Sequence, residues 1–295
     1  MKTFAAVDIG SNAIRVHICH LLKNNNIHEF KTVEYLRVPL RLGEDVFSTG
    51  EISKEKTWKL VLLGQSLVNL FELYEVDSYL ACATSAMREA KNHTQVISEI
   101  ASKTGLQIAV IDGEIEAKYT QLALLKYLKE GAWLHVDVGG GSTEINIYED
   151  GKNTASKSFK IGAVRILMKE DVSQVKKDLH DWLQANTPKS KNSIRSLGTG
   201  GSIGKIYEMA NNPIDQPITF YKISEMKELI ERHSIEDRIN ILKLSPDRAD
   251  VIVPAVEIYM EVMKTVGATT MTVPKVGLSD GMFEVMFQEK ILSSI

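Results

Sequence analysis

Alternating apolar and polar positions at the start of the chain fall into blocks of strand length, and longer helical periods follow. Thr3–Ile9 and Ala13–His20 read as two strands joined by the turn Gly10-Ser11-Asn12. Asn24-Asn25-Asn26 reads as a hairpin tip leading into a third strand, Ile27–Thr32. Val38–Ser48 is read as an irregular loop. Ser53 has the chemistry of a helix N-cap, and the helix behind it is predicted to run to about Tyr74. Next come a strand (Ser78–Ala83), a short helix from Ser85, a helix to about Thr104, a strand (Gln107–Ile111) and a helix from Gly113 to about Lys129. This order predicts an α/β layer on a mixed sheet.

The pattern then restarts. Ala132–Val138 is an apolar strand, followed by the loop Gly139 to Thr143 and a strand from Glu144 to Tyr148. Asp150-Gly151 is a hairpin turn, and the third strand runs to about Lys160. Helices at Val164–Lys169 and Val172–Asn186, a strand at Ile194–Leu197 and a helix after Gly201 complete the second round. Val7-Asp8-Ile9-Gly10-Ser11 and Val136-Asp137-Val138-Gly139-Gly140 share one strand-turn-strand context, so a duplicated unit, one per domain, is the simplest account. The remainder reads as helices at Ile223–His233, Arg238–Leu242 and Pro246–Val266, a strand at Thr269–Val273 and a final helix to Leu292. The predicted domains are residues 1–126 with a returning helix 280–295, and residues 127–279.

Composition narrows the class. The chain has 295 residues, of which 44% are apolar and 25% charged, the profile of a soluble globular protein with room for two cores. Lys plus Arg total 35 against 38 acids, so no broad nucleic-acid surface is signalled. An anionic substrate remains allowed, because local loops and metals set the field inside a cleft. Cys19 and Cys82 form no CxxC pair; they read as buried thiols in a reducing, cytoplasmic compartment. The N-terminus reaches Asp8 too soon for a signal-peptide core. Polar residues such as Glu72, Glu257 and Glu261 break the most apolar helical stretches, so no membrane span is expected.

Three glycine-rich turns follow apolar strands: Gly10-Ser11-Asn12, Gly139-Gly140-Gly141-Ser142-Thr143 and Gly198-Thr199-Gly200-Gly201-Ser202. Glycine lets backbone N–H groups converge on an anion, and Ser11, Ser142, Thr143 and Ser202 add hydroxyl donors. Neither GxGxxG nor GxxxxGK[ST] is present, which argues against Rossmann and P-loop chemistry. Asp8 and Asp137 each end an apolar strand, where a carboxylate is costly without a partner. Glu144 lies across the glycine loop from Asp137, and this carboxylate set suits Mg²⁺, which takes few protein ligands beside phosphate oxygens. Bracing of the loop is the plainer alternative for each. Arg15, and Arg88 beside Thr84 and Ser85, offer planar forks for phosphate, with surface ion pairs as the competing reading. Glu116, in the first turn of a helix, either complements the helix dipole or orients an attacking water. The histidines offer no site, and the lysines of 189–191 read as solvated loop.

These residues resemble a known family. Asp8 through Arg15, Ala83 through Arg88 with Asn92, Gly113 through Ala117, Asp137 through Glu144, Gly162-Ala163-Val164-Arg165, Gly198 through Ser202 and Arg248-Ala249-Asp250 occur in the order found in the exopolyphosphatase / guanosine pentaphosphate phosphohydrolase (Ppx/GppA) family. The resemblance implies two ribonuclease-H-like domains of the actin and sugar-kinase type, an active site in an interdomain cleft, and hydrolysis of the terminal phosphate of polyphosphate or of pppGpp. It further implies Glu116 as general base, Asp137 and Glu144 as Mg²⁺ ligands, and Ser11, Asn12, Arg15, Arg88 and the Gly139–Thr143 backbone as phosphate binders. Three departures qualify the transfer: longer members carry a further helical region, Ser279 stands where the family usually has arginine, and Ala13 replaces a common serine. A homodimer is admitted by the resemblance and not fixed by the residues. Two other classes compete: an ATP-dependent kinase or filament ATPase on the same fold, and a non-catalytic sensor of the same anions.

Overall fold

Lys2–Ile9 (β1) is buried at every residue but its first, as a strand covered on both faces must be. It pairs antiparallel with β2 (Ile14–Asn24), which pairs antiparallel with β3 (Ile27–Val38). On its other side β1 runs parallel to β4 (Ser78–Ala83), and β4 parallel to β5 (Ala109–Val110). Helices α1 (Leu42–Thr49), α2 (Lys54–Leu73), α3 (Ser85–Glu89), α4 (His93–Thr104) and α5 (Gly113–Leu124) fill the connections. The computed structural model describes residues 2–24, 27–188, 194–213 and 216–292; Asn25 and Asn26 of the expected hairpin tip and the lysines of 189–191 lie outside them.

The second sheet repeats the scheme. β6 (Ala132–Val138) pairs antiparallel with β7 (Thr143–Glu149), and β7 with β8 (Lys152–Phe159). After α6 (Ala163–Leu167) and α7 (Ser173–Asn186), β9 (Arg195–Thr199) lies parallel to β6. Next in the chain are α8 (Gly201–Met209), β10 (Ile218–Thr219), α9 (Phe220–Glu231), α10 (Ile235–Asn240), α11 (Pro246–Ala249), α12 (Ile252–Val266), β11 (Thr270–Thr272) and α13 (Leu278–Leu292). The strand orders are β3-β2-β1-β4-β5 and β10-β11-β9-β6-β7-β8. Apart from the added β10, the two sheets have the same order and directions, so the ribonuclease-H-like arrangement occurs twice. By contact, the chain divides into one unit of Met1–Ala123 with Leu278–Ile295 and another of Leu124–Gly277.

Strand alternation gives the first sheet two cores. Ala5, Val7 and Ile9 face the side of α2 and α4, with Leu60, Leu67 and Ile100. Phe4, Ala6 and Cys82 face the other side, against Leu278, Met282, Phe283 and Met286 of α13. Asp8 belongs to this second face by parity.

Several expected elements are corrected. Val38–Ser48 is not an irregular loop, because Leu42–Thr49 is helical, with Glu44 and Asp45 in its first turn and Gly50 as a left-handed cap at φ 82°. The third strand extends past Thr32 to Val38, held by pairing with β2 along its length. The strand expected at Gln107–Ile111 is only Ala109–Val110, and the helix expected over Pro246–Val266 is interrupted between Ala249 and Ile252.

Candidate active site

In the first unit the Gly10–Ala13 turn is closed by the Gly10 N–H donating to the Ala13 carbonyl at 3.3 Å. Two of its carbonyls are taken by the start of α1: the Arg41 N–H donates to Asn12 O at 2.9 Å and the Gly43 N–H to Ser11 O at 2.8 Å. Ser11 Oγ meets Ser85 Oγ at 2.7 Å, and the Thr84 N–H donates to Ile9 O at 3.1 Å, joining this turn to the β4–α3 turn. Asp8 and Arg15 are directly opposed in the β1–β2 register, and Arg15 Nη1 donates to Asp8 Oδ2 at 2.8 Å. Both plainer and functional readings of Arg15 start from this pair.

Glu116 stands in the first turn of α5, which Asp112 caps by accepting the Ile115 N–H at 2.8 Å. Arg88 Nη1 donates to the Ile111 carbonyl at 2.6 Å and lies within ion-pair reach of Glu116 Oε2, at 3.6 Å. Cys82 is buried between the two acidic positions: burial first, then Asp8 and Glu116, push its thiol up to about 12. The structure thus gathers Asp8, Gly10, Ser11, Arg15, Thr84, Ser85, Arg88 and Glu116 at the carboxyl ends of β1 and β4.

The second unit uses the same device more completely. The Gly139 N–H donates to Ser142 O at 2.9 Å, as Gly10 does to Ala13. Gly139 O accepts from the Ala163 N–H at 3.0 Å, and Gly140 O from Val164 and Arg165 N–H at 2.8 and 3.1 Å. Gly141 O accepts from Arg165 Nε at 2.9 Å, while Arg165 Nη1 is held by Glu170 at 2.8 Å. A trans peptide points its C=O and following N–H in opposite directions. With these carbonyls drawn to α6, the N–H groups of Gly140, Gly141 and Ser142 turn the other way, an arrangement that cradles anions. Thr143 departs from expectation. Its side chain is fully buried and its hydroxyl donates to Ile161 O at 2.7 Å, so it frames the loop and offers no hydroxyl to a ligand.

Asp137 and Glu144 are opposed in the β6–β7 register, hence on one face of the sheet. Thr199 Oγ1 donates to Asp137 Oδ2 at 2.6 Å, and Ser158 Oγ to Glu144 Oε1 at 2.8 Å. Gly200 sits at φ 110°, and a Cβ there would lie 3.0 Å from Asp137 Oδ1 and 2.8 Å from Tyr259 Oη, so glycine is required. Gly201 and Ser202 open α8 immediately beyond. Two carboxylates in direct cross-strand register repel, which favours a cation beside them. Their hard oxygens fit Mg²⁺, whose remaining ligands come from water and phosphate. Among the described residues no group of three His, Cys, Asp or Glu is placed to hold a metal unaided.

Residues that the sequence reading passed over complete this face. His135 is fully buried, and burial pushes its pKa down to about 3. Its Nε2 lies 2.8 Å from Thr199 Oγ1 and its Nδ1 3.1 Å from Asn146 Nδ2. The signal was a polar side chain two residues before Asp137 in an apolar strand, hence on the same face. Arg165 belonged to a recognised motif without a role.

The ribonuclease-H-like arrangement thus occurs twice, and in each unit a glycine turn stands beside a strand-end carboxylate. The chain belongs to the Ppx/GppA phosphatase family, which it matches over residues 22–290. It is 26% identical over 272 aligned positions to exopolyphosphatase 1 of Mycobacterium tuberculosis, covering 84% of this chain and 77% of that protein. It is 25% identical to the guanosine-5'-triphosphate,3'-diphosphate pyrophosphatase of Photobacterium profundum, covering 96% of this chain and 59% of that one. Among solved structures, an exopolyphosphatase from Cytophaga hutchinsonii superposes with a TM-score of 0.84 at 20% identity over 98% of each chain. An Aquifex aeolicus Ppx/GppA family member superposes at 0.75 with 24% identity, covering 97% of this chain and 98% of that one. Among the described residues no helix is long and apolar enough to cross a membrane.

Proposed function

We propose that this chain is an exopolyphosphatase that removes the terminal phosphate of inorganic polyphosphate with Mg²⁺. The observation that carries the reading is the opposed pair Asp137 and Glu144 beside a turn whose Gly139, Gly140 and Gly141 carbonyls are engaged by α6. Glycine-turn amides and the Arg15 and Arg88 guanidinium groups bind phosphoryl oxygens, and Asp137 and Glu144 hold Mg²⁺. Bound there, the cation neutralises charge on the phosphates. Asp8, already facing Arg15, is an anchor of that arginine before it is a metal ligand.

Glu116, oriented through Arg88, takes a proton from a water as the water oxygen attacks the terminal phosphorus. The bridging P–O bond breaks, the shortened chain leaves with its oxygen, and one orthophosphate forms per water consumed. Positioning and electrostatics supply most of the acceleration. Removal of the 5'-phosphate of pppGpp is the second reading, supported by the Photobacterium relative that spans nearly this whole chain.

Phosphate release from long polyphosphate, tripolyphosphate and pppGpp, measured side by side with Mg²⁺ titrated, tests the proposal. Long polyphosphate is expected to give the highest kcat/KM, and EDTA to stop release. Preference for pppGpp would install the second reading, and ATP consumption only with an added sugar would install a kinase. Glu116→Gln is expected to lower kcat by about 10²- to 10⁴-fold, with Mg²⁺ binding and circular dichroism unchanged. Near-normal turnover by that variant would remove Glu116 from the mechanism.

A further inference from the structure

His135 occupies the middle of a central strand and has no exposure to water. A buried imidazole is tolerated only when its nitrogens are hydrogen-bonded. Here the partners fix the direction of every bond. A carboxylate only accepts, so the single hydrogen of the Thr199 hydroxyl goes to Asp137 Oδ2, at 2.6 Å. Toward His135 that same oxygen must therefore accept, which puts the ring proton on Nε2 at 2.8 Å. Nδ1 is then the acceptor, and Asn146 Nδ2 donates to it at 3.1 Å. Asn146 Oδ1 in turn accepts from Ser156 Oγ at 2.7 Å. Four hydrogen bonds run one way, from β8 through β7, β6 and β9, and end on the carboxylate.

The chain lies inside the sheet face, with Asn146 and Thr199 each 1% exposed. Tyr259 ties the same corner: its hydroxyl accepts the Val138 N–H at 3.0 Å and donates to the Thr199 carbonyl. The backbone of Thr199 is thus held independently of His135. What His135 adds is direction for the hydroxyl.

We propose that His135 is a positioning residue for the cation-holding carboxylate: by donating to Thr199 it commits the threonine hydroxyl to one oxygen of Asp137 and so sets the rotation of that carboxylate. The proposal rests on the assignment of Asp137 to Mg²⁺ made above. Groups that orient a metal ligand are commonly worth about 10- to 100-fold in affinity.

The test is Mg²⁺ affinity, measured by calorimetry on the full chain without substrate, alongside the melting temperature. His135→Leu and Thr199→Val are each expected to weaken binding about 10- to 100-fold, with His135→Gln recovering part of the loss through its side-chain N–H. Because the histidine acts through the threonine, the double variant should bind no more weakly than Thr199→Val alone. Additive losses would mark a general packing defect and overturn the proposal. Asp137→Asn separates the two levels. If it abolishes binding while His135→Leu binds normally, the proposal falls and the cation assignment stands. If Asp137→Asn binds normally, both fall. Should His135→Leu not fold, the imidazole ¹⁵N spectrum of the unaltered protein decides: a proton on Nε2 is expected, and one on Nδ1 overturns the proposal.

Discussion

One pair of positions shows how much a single residue decides. Asp8 and Asp137 end equivalent strands, and the residue facing each across its hairpin is Arg15 in one unit and Glu144 in the other. The first carboxylate is paired with a guanidinium within its own sheet, while the second faces another carboxylate across its hairpin, so the duplicated scaffold places opposite charges at equivalent positions. The sequence made the carboxylates legible because a short hairpin forces its flanking residues into register. It hid His135 and Thr199, whose partnership joins residues 64 apart on neighbouring parallel strands. The cysteines make a prediction at this scale. Burial is the leading cause that moves Cys19 from 9.0 to about 11 and Cys82 to about 12. Neither thiol should react with iodoacetamide at pH 8 in the folded protein, and both should react once it is unfolded. In the unfolded chain each thiol loses its proton near pH 9.0, whereas the folded chain keeps it to about 11 or 12. The unfolded state therefore binds fewer protons in that window, and stability falls as pH rises from about 9. Urea midpoints across alkaline pH measure this, and a flat profile would contradict the burial.

At the scale of elements, the short helix after each third strand does the same work twice. The start of α1 takes the Ser11 and Asn12 carbonyls of the first turn, and α6 takes those of Gly139, Gly140 and Gly141 in the second. The close approach of α6 depends on Gly162, where a Cβ would lie 2.5 Å from Gly140 O and 2.7 Å from Gly141 N, both backbone atoms. Gly162→Ala must therefore displace the glycine loop, at about 1–3 kcal/mol, the usual cost of overpacking. The expected result is a lower melting temperature together with weaker protection by pyrophosphate; unchanged protection would uncouple α6 from the proposed anion site. α6 was legible in the sequence, but α1 was not. Pro39, Gly43 and Gly50 within twelve residues read as loop chemistry, and the contact that rewards a helix there, with Ser11 and Asn12, is made thirty residues earlier in the chain. β3 was cut short for a related reason, since its later residues are largely exposed or half-buried and its order comes from pairing with β2.

At the scale of the molecule, the path of the chain matters as much as the duplication. It leaves the first unit after Ala123 and returns at Leu278, so α13 packs on strands made at the very start. The repeat was legible because two tetrapeptides recur in matching context. That the last helix covers Phe4, Ala6 and Cys82 is a matter of packing partners, which no local pattern specifies. Gly281 is the tight point, since a Cβ there would lie 1.8 Å from the Tyr119 carbonyl. Gly281→Val is expected to lower the calorimetric transition of the first unit and leave that of residues 124–277 in place; a uniform shift of both would show that the units melt as one. The same path has a consequence during translation. As the polypeptide emerges from the ribosome, the middle of the message encodes the first unit able to close its core, while the opening strands wait with one apolar face bare. That face stays uncovered until Leu278–Leu292 emerges, and the delay is set by the speed of the ribosome.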